Sequence, residues 1–390
     1  MKTVGVVTGT RAEYGLLQGV IQLLLGESTI HMKVIVTGTH LSEAHGMTVE
    51  DIRKDGIEIS TEIPILEPAL LNEGVSMIMA RTLERFGQYF QEEAMDMLVL
   101  LGDRYEIFAV AIAAMNARIP IAHIHGGEIT QGAMDDAMRH SITKLSYLHF
   151  TSTEEYRNRV IQLGEHPNRV FHVGSLGVEN CKKQVLMSQI ELEDSIGYVL
   201  GDYYAVVTYH PVTLEVGDMM EEIHSVVNAL REYPNLKYLC TKANADEGGN
   251  LINEYLEKME QEEPERFKLV DSLGMKRYLS ALQSCTMVIG NSSSGILEAP
   301  AMKVPTVNIG DRQLGRTQAA SIFNCNTTST GIIQAMEEAK QWNAHSKHES
   351  FVNSYEKADT AKNIAEIIRT TLEQETIDLK KEFYDINSSS

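Results

Sequence analysis

Short apolar runs alternate with longer segments of helical periodicity along most of this chain. In residues 76–95, for example, Ile78, Leu83, Phe86 and Phe90 recur at the spacing of one helix face. Strands that alternate with helices are typical of repeated βα units and a parallel sheet. In the first half of the chain the apolar runs predict strands at 3–7, 33–37, 97–101, 120–124, 147–151 and 169–173.

A second set of strands begins after the polar, acidic stretch 184–201, so we place a domain boundary near residue 185. The apolar runs here predict strands at 205–209, 237–241, 268–270, 287–289 and 306–309, and a helical tail at 360–383. The predicted fold class is α/β, with two doubly wound, Rossmann-like domains facing a ligand cleft.

The charge of the chain narrows its range of partners. A formal net charge of −20 argues against nucleic acid, because phosphate backbones require basic protein surfaces. A small anionic ligand is compatible with this charge, since it needs only a few local cations and oriented N–H groups. No apolar run reaches the ~18 residues that a membrane helix needs, so we expect no membrane partner and a cytoplasmic location.

The cysteines do not form a ligand pattern. Cys181, Cys240, Cys285 and Cys325 lie far apart, without a CxxC pair or a nearby histidine at zinc-ligand spacing. This arrangement favours reduced, buried thiols and predicts no metal site.

The segment 123–140, HIHGGEITQGAMDDAMRH, carries the densest group of titratable side chains after a predicted strand. These side chains are His125, Glu128, Asp135, Asp136 and Arg139. Ligands bind at the carboxyl ends of strands in open α/β sheets, and crowded charges shift one another's pKa values, so the segment indicates proton-transfer chemistry. The alternative is a helix start in which Asp135 and Asp136 satisfy the dipole and Arg139 pairs one turn later. That alternative explains Glu128 and His125 less well.

Two further motifs follow predicted strands of the first half. Residues 8–11, TGTR, form a glycine turn before a helix, which suits an anion with Arg11 as an added cation, or is a plain βα turn with a solvated arginine. Neither a GxGxxG nor a Walker motif is present. Asp103 and Arg104 follow the strand 97–101 and form either a structural ion pair or part of the same site.

The second half offers a site for a diphosphate. His210 ends the strand 205–209, where it caps the strand, binds phosphate or acts as an acid. The motif GNSSSG at 290–295, followed by Glu298, resembles a phosphate cradle at a helix start, the alternative being a serine cap with a first-turn glutamate. Arg312 and Arg316 supply cations suited to bidentate phosphate contacts.

Taken in order, these motifs resemble those of the hydrolysing UDP-N-acetylglucosamine 2-epimerases, which make N-acetylmannosamine-type sugars for sialic acid synthesis. The motifs GTRAEYG, GDRYE, HIHGGE…DDAMRH, HP, GNSSSG…E and GDRQLGR span nearly the whole chain. The resemblance implies a glycosyltransferase-B-like fold, with a first domain at 1–185, a second at 186–367 and a C-terminal helix at about 368–390 that packs back on the first. It further implies UDP on the second domain, the sugar toward the first, a homodimer or homotetramer, and no cofactor.

The family's reaction, as the resemblance implies it, is anti-elimination of UDP to a 2-acetamidoglucal, followed by addition of water with inversion at carbon 2. A base must take the carbon-2 proton, and cations and N–H donors must stabilise the departing diphosphate. Position by position, the resemblance makes Asp103 and Asp135 catalytic carboxylates and Arg11 a cleft arginine. We predict a catalytic group of Asp103, Glu128, Asp135 and His210, and substrate contacts from Arg11, His125, Arg139, Ser292, Ser293, Ser294, Glu298 and Arg312.

One position departs from the family pattern. Some members carry a glutamate, proposed as a catalytic acid, where this chain has His125, and Glu128 is the nearest carboxylate here. The departure leaves the sugar open, because related enzymes act on UDP- or GDP-linked N,N'-diacetylbacillosamine for legionaminic acid. The reading GTRAEYGL in place of GTRPEAIK, and Pro-Val-Thr after His210, favour the hydrolysing branch.

Two other functions share the UDP cradle. A glycosyltransferase would need an acceptor site, often with a membrane-facing surface, and the chain shows no basic amphipathic helix for one. A non-catalytic nucleotide-sugar sensor would retain the serines while its carboxylates are dispensable. The carboxylates are present, which favours the enzyme.

Overall fold

Two parallel sheets form the framework of the protein in a computed structural model that describes residues 1–67, 74–130, 134–211, 219–233, 236–243, 249–345, 351–374 and 376–386. The first sheet contains β1 Lys2–Thr8, β2 Ile30–Thr37, β3 Thr61–Ile63, β4 Met97–Leu101, β5 Ile121–Ile124, β6 Leu148–Thr151 and β7 Val170–His172. The second contains β8 Tyr204–Thr208, β9 Lys237–Thr241, β10 Phe267–Val270, β11 Met287–Gly290, β12 Thr306–Ile309 and β13 Ile322–Cys325.

Both sheets have the strand order of a doubly wound fold. The orders are β3-β2-β1-β4-β5-β6-β7 and β10-β9-β8-β11-β12-β13, so each chain path starts at the centre, winds to one edge and then to the other. In each sheet the switch point lies between the first strand and the strand that begins the second half, β1 beside β4 and β8 beside β11. The predicted α/β class with two Rossmann-like sheets is confirmed.

The helices lie between the strands in sequence. They are α1 Arg11–Leu25, α2 Val49–Lys54, α3 Val75–Glu92, α4 Tyr105–Asn116, α5 Met134–Leu145, α6 Glu154–Gln162, α7 Leu176–Lys183, α8 Gln189–Ile196, α9 Met219–Arg231, α10 Gly249–Glu262, α11 Gly274–Ser284, α12 Ser294–Ala301, α13 Ser329–His345 and α14 Thr360–Gln374. Each sheet is covered on both faces by apolar clusters that include these helices, as its near-continuous apolar strands require.

Every strand predicted from an apolar run overlaps a strand of the structure, whereas β3 and β13 were not predicted. Both unpredicted strands lie at sheet edges and are only partly buried, with sequences TEI and IFNC. An edge strand does not require an apolar run, because one of its sides faces solvent or a loop.

The chain divides into two units. Unit 1 contains the described residues of 1–128, 134–179 and 357–386, and unit 2 contains those of 180–356 together with Ile129 and Thr130. The division at 179/180 lies inside α7, not at the predicted residue 185. The physical reason is that Glu179 accepts the N–H of Ala361 in unit 1 (3.0 Å), whereas Cys181 joins an apolar cluster of unit 2.

Helix α14 belongs to unit 1 and completes its core. Ala361, Ile364, Ala365, Ile368 and Leu372 form one buried stripe at helical spacing, in the same cluster as Leu17 and Ile21 of α1. Gly19 of α1 allows close approach, since a side-chain carbon there would lie 3.4 Å from Cβ of Ala361.

The predicted helix at 368–390 is wrong over residues 376–386. Residues 376–386, here called the C-terminal strap, are not helical, and 387–390 lie outside the described residues. The strap is instead held by contacts to unit 1: Lys381 Nζ donates to Glu165 at 2.8 and 3.0 Å, and Tyr384 N–H donates to the carbonyl of Gly164 at 2.9 Å. Phe383 packs on Gly164, where any side chain would collide with its ring.

Candidate functional site

The carboxyl ends of β4 and β5 carry two of the predicted site residues. These strands are neighbours, with Leu101 beside Ile124 in register. Asp103 follows β4 after Gly102, whose φ of 80° turns the chain, and His125 follows β5 directly. The two side chains therefore start from the edge of the sheet at which open α/β folds bind ligands.

Asp103 forms an ion pair with the guanidinium of Arg139 on α5. The Arg139 side chain is 5% exposed and that of Asp103 is 21% exposed, so the carboxylate is oriented by a buried cation while it still reaches solvent. Asp136 lies 3.7 Å from the same guanidinium and 3.5 Å from His140. Asp135 is exposed in the first turn of α5. The structure thus brings Asp103, Asp136 and Arg139 into one network.

His125 and Glu128 lie in a strained, buried turn. His125 has a φ of 66°, a left-handed conformation that is uncommon outside glycine and is concentrated at functional sites. Its N–H donates to the carbonyl of Phe150 (2.8 Å), and its Nδ1 lies 3.9 Å from Oε1 of Glu128. Glu128 is buried and accepts the hydroxyl of Ser152 at 2.8 Å. A buried carboxyl next to an imidazole can move a proton.

His123 of β5 contacts the residue that precedes Asp103. Its Nε2 lies 2.8 Å from the carbonyl of Gly102, and its Nδ1 lies 3.3 Å from Oγ1 of Thr143. Burial lowers the pKa of His123 to about 3, so the imidazole is neutral at pH 7. His123 therefore fixes the glycine before Asp103 and is not an acid in this range.

The turn after β1 binds a carboxyl group of its own chain. The N–H of Gly9 donates to Oε2 of Glu13 (2.7 Å), and the N–H of Glu13 donates to Oγ1 of Thr10 (3.2 Å). Arg11 is half exposed and lies 3.4 Å from Asp51. The Gly9 N–H is therefore occupied by Glu13, and anion binding at this turn stays one of the two interpretations that the sequence left open. Arg11 as a substrate contact stays a prediction.

In unit 2, Asn291 joins three loops at the carboxyl ends of the strands. Its Oδ1 accepts the N–H of His210 (2.7 Å), and its Nδ2 donates to the carbonyl of His210 (2.8 Å). Its own carbonyl accepts Arg312 Nη1 at 3.0 Å and Gln313 Nε2 at 2.8 Å. The loops that carry His210 and Arg312 are thereby held to the serine motif. Sequence reasoning named Asn291 only as part of that motif and did not select Gln313.

Gly290 makes this junction possible. Its φ is 138°, and a side-chain carbon on it would lie 1.9 Å from the carbonyl oxygen of Thr208. Any other residue would force the ends of β8 and β11 apart. The glycine therefore allows His210 and Asn291 to meet.

His210 is a neutral group near pH 7. It is buried, and burial, followed by the nearby charge of Arg312, lowers its pKa to about 4. A neutral imidazole can donate or accept a hydrogen bond at a phosphate, but it does not contribute a positive charge there.

The three serines lie at the start of α12. Ser293 precedes the helix without a side-chain capping bond, and the N–H of Ser294 is 3.4 Å from Oγ of Ser292. Glu298 is half-buried on the same helix, and Gly295 packs against Thr306. Helix starts present N–H groups and a partial positive charge, which suit a phosphate.

Arg316 contacts the segment that follows Glu128. Its Nε donates to the carbonyl of Ile129 (3.1 Å) and its Nη2 to the hydroxyl of Thr130 (3.3 Å). Arg316 therefore holds the segment after Glu128 within unit 2, and its contact with a phosphate stays a prediction.

Among the described residues, no cluster of three His, Cys, Asp or Glu side chains is arranged to hold a metal ion, and no helix has the length and apolarity of a membrane span. The four cysteines are free thiols, and three of them are buried.

Two parallel sheets of Rossmann strand order in one chain define an α/β protein of the glycosyltransferase-B-like class. A solved structure of this architecture, the UDP-GlcNAc 2-epimerase from Neisseria meningitidis bound to UDP-GlcNAc, matches with a TM-score of 0.78 at 18% identity, over 95% of this chain and 100% of that one. The sequence model of the UDP-N-acetylglucosamine 2-epimerase family matches residues 24–369. The chain belongs to this family of nucleotide-sugar epimerases.

Two relatives show the family at higher identity. The polysialic acid biosynthesis protein P7 of Escherichia coli is 38% identical over 99% of this chain and 98% of its own length. The GDP/UDP-N,N'-diacetylbacillosamine 2-epimerase (hydrolyzing) of Campylobacter jejuni is 40% identical over 85% of this chain and 86% of its own.

Proposed function

We propose that the protein is a hydrolysing 2-epimerase that converts UDP-N-acetylglucosamine and water into N-acetylmannosamine and UDP, for synthesis of a sialic acid-type sugar. The observation that carries the proposal is the group of carboxyls at the ends of β4 and β5. There, Asp103 is oriented by buried Arg139, and Glu128 is buried beside His125. Family membership and the name of the Escherichia coli relative support it.

In this proposal unit 2 binds UDP. The N–H groups at the start of α12, the hydroxyls of Ser292, Ser293 and Ser294, and the guanidinium of Arg312 stabilise the diphosphate. Neutral His210 adds a hydrogen bond, and Glu298 accepts the ribose hydroxyls. These interactions strengthen as negative charge develops on the leaving UDP, which lowers the barrier to elimination.

Unit 1 supplies the acid and the base. The carbon-2 proton leaves to a carboxylate, UDP departs from carbon 1, and a 2-acetamidoglucal forms; water then adds, with a proton delivered to the opposite face of carbon 2. Asp103, Glu128 and Asp135 are the proposed acid–base residues, and Arg11, His125 and Arg139 are proposed to contact or orient the sugar.

Incubation with UDP-N-acetylglucosamine in heavy water, without an acceptor, tests this function. The expected products, followed by NMR, are free UDP and N-acetylmannosamine with deuterium at carbon 2. Formation of UDP-N-acetylmannosamine without free UDP would contradict the hydrolytic reaction. Tight binding of UDP without turnover would favour a sensor, and turnover only with an added sugar acceptor would favour a glycosyltransferase.

A second candidate substrate is UDP- or GDP-linked N,N'-diacetylbacillosamine. The 40% identity to the Campylobacter jejuni enzyme favours it. His125, at a position where the family resemblance implies glutamate in some members, leaves the choice of sugar open. The same NMR assay with these nucleotide sugars compares kcat/KM. A higher value for a diacetylbacillosamine nucleotide would assign the legionaminic acid branch. A homodimer or homotetramer and a cytoplasmic location stay predictions, the first testable by light scattering.

A further inference from the structure

Glu13 and Glu106 are buried carboxyl groups that the proposed reaction does not use. Glu13 lies in the first turn of α1 and Glu106 in the first turn of α4, and the two residues are 6% and 1% exposed. A side-chain carbon added to Gly9 would lie 3.2 Å from Oε1 of Glu106 and 3.3 Å from Oε2 of Glu13. The two carboxyl groups therefore border the same glycine in the turn after β1.

Arg104 is the cation that contacts this pair. Its Nε donates to Oε1 of Glu106 at 2.5 Å, whereas Oε2 of Glu13 accepts the backbone N–H of Gly9 at 2.7 Å. Oε1 of Glu13 and Oε2 of Glu106 are buried without a hydrogen-bond partner among the described residues. If both carboxyls were ionised, a buried negative charge would lack a balancing cation, a state that proteins avoid by keeping one group protonated.

The other titratable groups around the turn do not supply that balance. Arg11, on the same helix as Glu13, lies next to Asp51. His40, after β2, is buried with its Nε2 3.0 Å from Oγ1 of Thr8, and burial lowers its pKa to about 4, so it is neutral at pH 7. Tyr105 lies under the guanidinium of Arg104. Because Glu106 is paired with the guanidinium of Arg104, Glu13 is the carboxyl group to which we assign the proton.

We propose that Glu13 stays protonated at neutral pH and acts as a positioning residue, which holds the turn before Arg11 against the turn that carries Asp103. A protonated Glu13 has an O–H to donate, and the carboxylate of Glu106 is an acceptor at the same glycine. The role of Asp103 in this inference rests on the proposed function, whereas the protonation of Glu13 does not.

The contacts of the two turns show how the protonation state of Glu13 influences the position of Asp103. Glu106 holds Arg104, the residue that directly follows Asp103. The carbonyl of Gly9 is itself held by Oγ1 of Thr39 at 3.2 Å, so the turn has little freedom to move on its other side. Ionisation of Glu13 would place a second negative charge against Glu106. The repulsion would separate the turns and displace Asp103 from Arg139.

The pKa of Glu13 agrees with this assignment in direction and range. Burial, followed by the charge of Glu106, raises the pKa of Glu13 to about 8, although Arg104 and the backbone of Gly9 oppose the rise. The positioning should therefore fail as the pH rises through about 8.

The first test is the pH dependence of kcat in the wild type, Glu13→Gln, Glu13→Ala and Glu179→Gln. Glutamine keeps an acceptor for Gly9 and a donor for Glu106, but it cannot ionise. We expect wild-type kcat to fall about fivefold between pH 7 and pH 9 and Glu13→Gln to lose most of this fall, while Glu13→Ala reduces kcat about tenfold at pH 7. Glu179 is an equally buried glutamate of unit 1, so its variant should keep the wild-type fall.

The second test is independent of turnover. The folded-state pKa of Glu13 lies above the unfolded value of 4.5, so the folded protein binds more protons between pH 4.5 and about 8. The wild type should therefore lose stability as the pH rises through this range, and Glu13→Gln should not lose that contribution. The melting temperatures of the two proteins should be similar at pH 5 and should separate as the pH rises toward 9, with Glu13→Gln becoming the more stable protein.

The outcomes separate the two proposals. An unchanged alkaline fall in Glu13→Gln, or a difference in melting temperature that does not vary with pH, would overturn the assignment of Glu13. If no nucleotide sugar is turned over by the wild type, the proposed function fails, while the melting measurement still decides whether Glu13 is protonated.

Discussion

Asp103 is the single residue on which the proposed chemistry depends most directly. Asp103→Asn removes the charge but keeps the shape, and Arg139 retains Asp136 at 3.7 Å, so the fold should survive. We expect kcat to fall by about 10²–10⁴, the range for loss of an acid–base group, with the Kd for UDP within about threefold of wild type. Asp135→Asn should behave in the same way. Single-turnover assays and calorimetry measure the two quantities.

Asp96 offers a matched control for Asp103. It precedes β4, at the opposite end of the same strand, and pairs with Lys2 at the surface. Asp96→Asn should leave kcat unchanged. Normal turnover by Asp103→Asn and Asp135→Asn would disprove the mechanism proposed for the carboxyls.

Arg312 should act on binding rather than on chemistry. Arg312→Ala removes a charged donor from the diphosphate site, whereas Gln313 still holds the carbonyl of Asn291. We expect UDP affinity to fall about tenfold or more, and Ser293→Ala to weaken it by a smaller factor. Arg277→Ala, a change of another unit 2 arginine that donates to the carbonyl of Leu273, serves as the control in calorimetry. Equal UDP affinity in Arg312→Ala and Arg277→Ala would move the diphosphate away from α12.

At the residue scale the sequence predicted which residues lie at strand ends and offered the pairing of Arg139 with a first-turn aspartate, but it did not predict the ion pair of Arg139 with Asp103. Asp103 and Arg139 are 36 positions apart, and their ion pair depends on how α5 packs after β5. Glu13 and Glu106 look like ordinary first-turn glutamates in the sequence, because helix starts favour acidic side chains. Their burial around Gly9 depends on the neighbouring positions of β1 and β4, which a one-dimensional pattern does not contain.

At the scale of elements, apolar runs were sufficient for the central strands and for the edge strands β7 and β10, and insufficient for the edge strands β3 and β13. β4, sequence MLVLL, is buried at every position and was predicted with its observed bounds. β13 has no buried position, so no apolar run marks it. The helix predicted for the C-terminal tail was wrong over residues 376–386 for a different reason. Its helical spacing continues past residue 374, but contacts of Lys381 and Tyr384 with unit 1 determine the backbone there.

The C-terminal strap should contribute to stability mainly through Lys381. Its ammonium donates to buried Glu165 and to the carbonyls of Lys144 and Ser146 (2.9 and 2.6 Å). Lys381→Ala should lower the free energy of unfolding by about 2 kcal/mol, the range for hydrogen bonds to charged groups. Urea unfolding measures this, with Lys380→Ala, an exposed neighbour, expected to change it little. Equal effects of the two variants would show that the strap is not held through Lys381.

For the whole molecule, the cluster around Glu165 predicts how stability responds to acid. Burial opposes ionisation of Glu165, but His149, Lys144 and Lys381 outweigh it and lower the pKa of Glu165 to about 2, below the unfolded value of 4.5. Its contribution is therefore present above pH 4.5 and is lost as the pH falls toward 2. Burial also lowers the pKa of His149, so both groups make acid destabilising.

Glu165→Gln isolates this contribution. The melting temperature of the wild type should drop more steeply than that of Glu165→Gln between pH 5 and pH 3, by about 5 °C in total. Glu155→Gln, which changes an exposed glutamate paired with Arg159, should follow the wild type. Parallel curves for all three proteins would exclude Glu165 as a source of acid sensitivity.

The return of the chain to unit 1 also has a consequence for biosynthesis. Residues 1–179, which include Leu17 and Ile21 of α1, are synthesised first. The apolar stripe of α14 that covers these two side chains is translated only after all of unit 2. During that interval, the apolar side chains of α1 in nascent unit 1 lack the cover of α14. Exposed apolar surface of this kind is recognised by chaperones and promotes aggregation. Unit 2 is nearly continuous in sequence, so it can complete its core before unit 1 does.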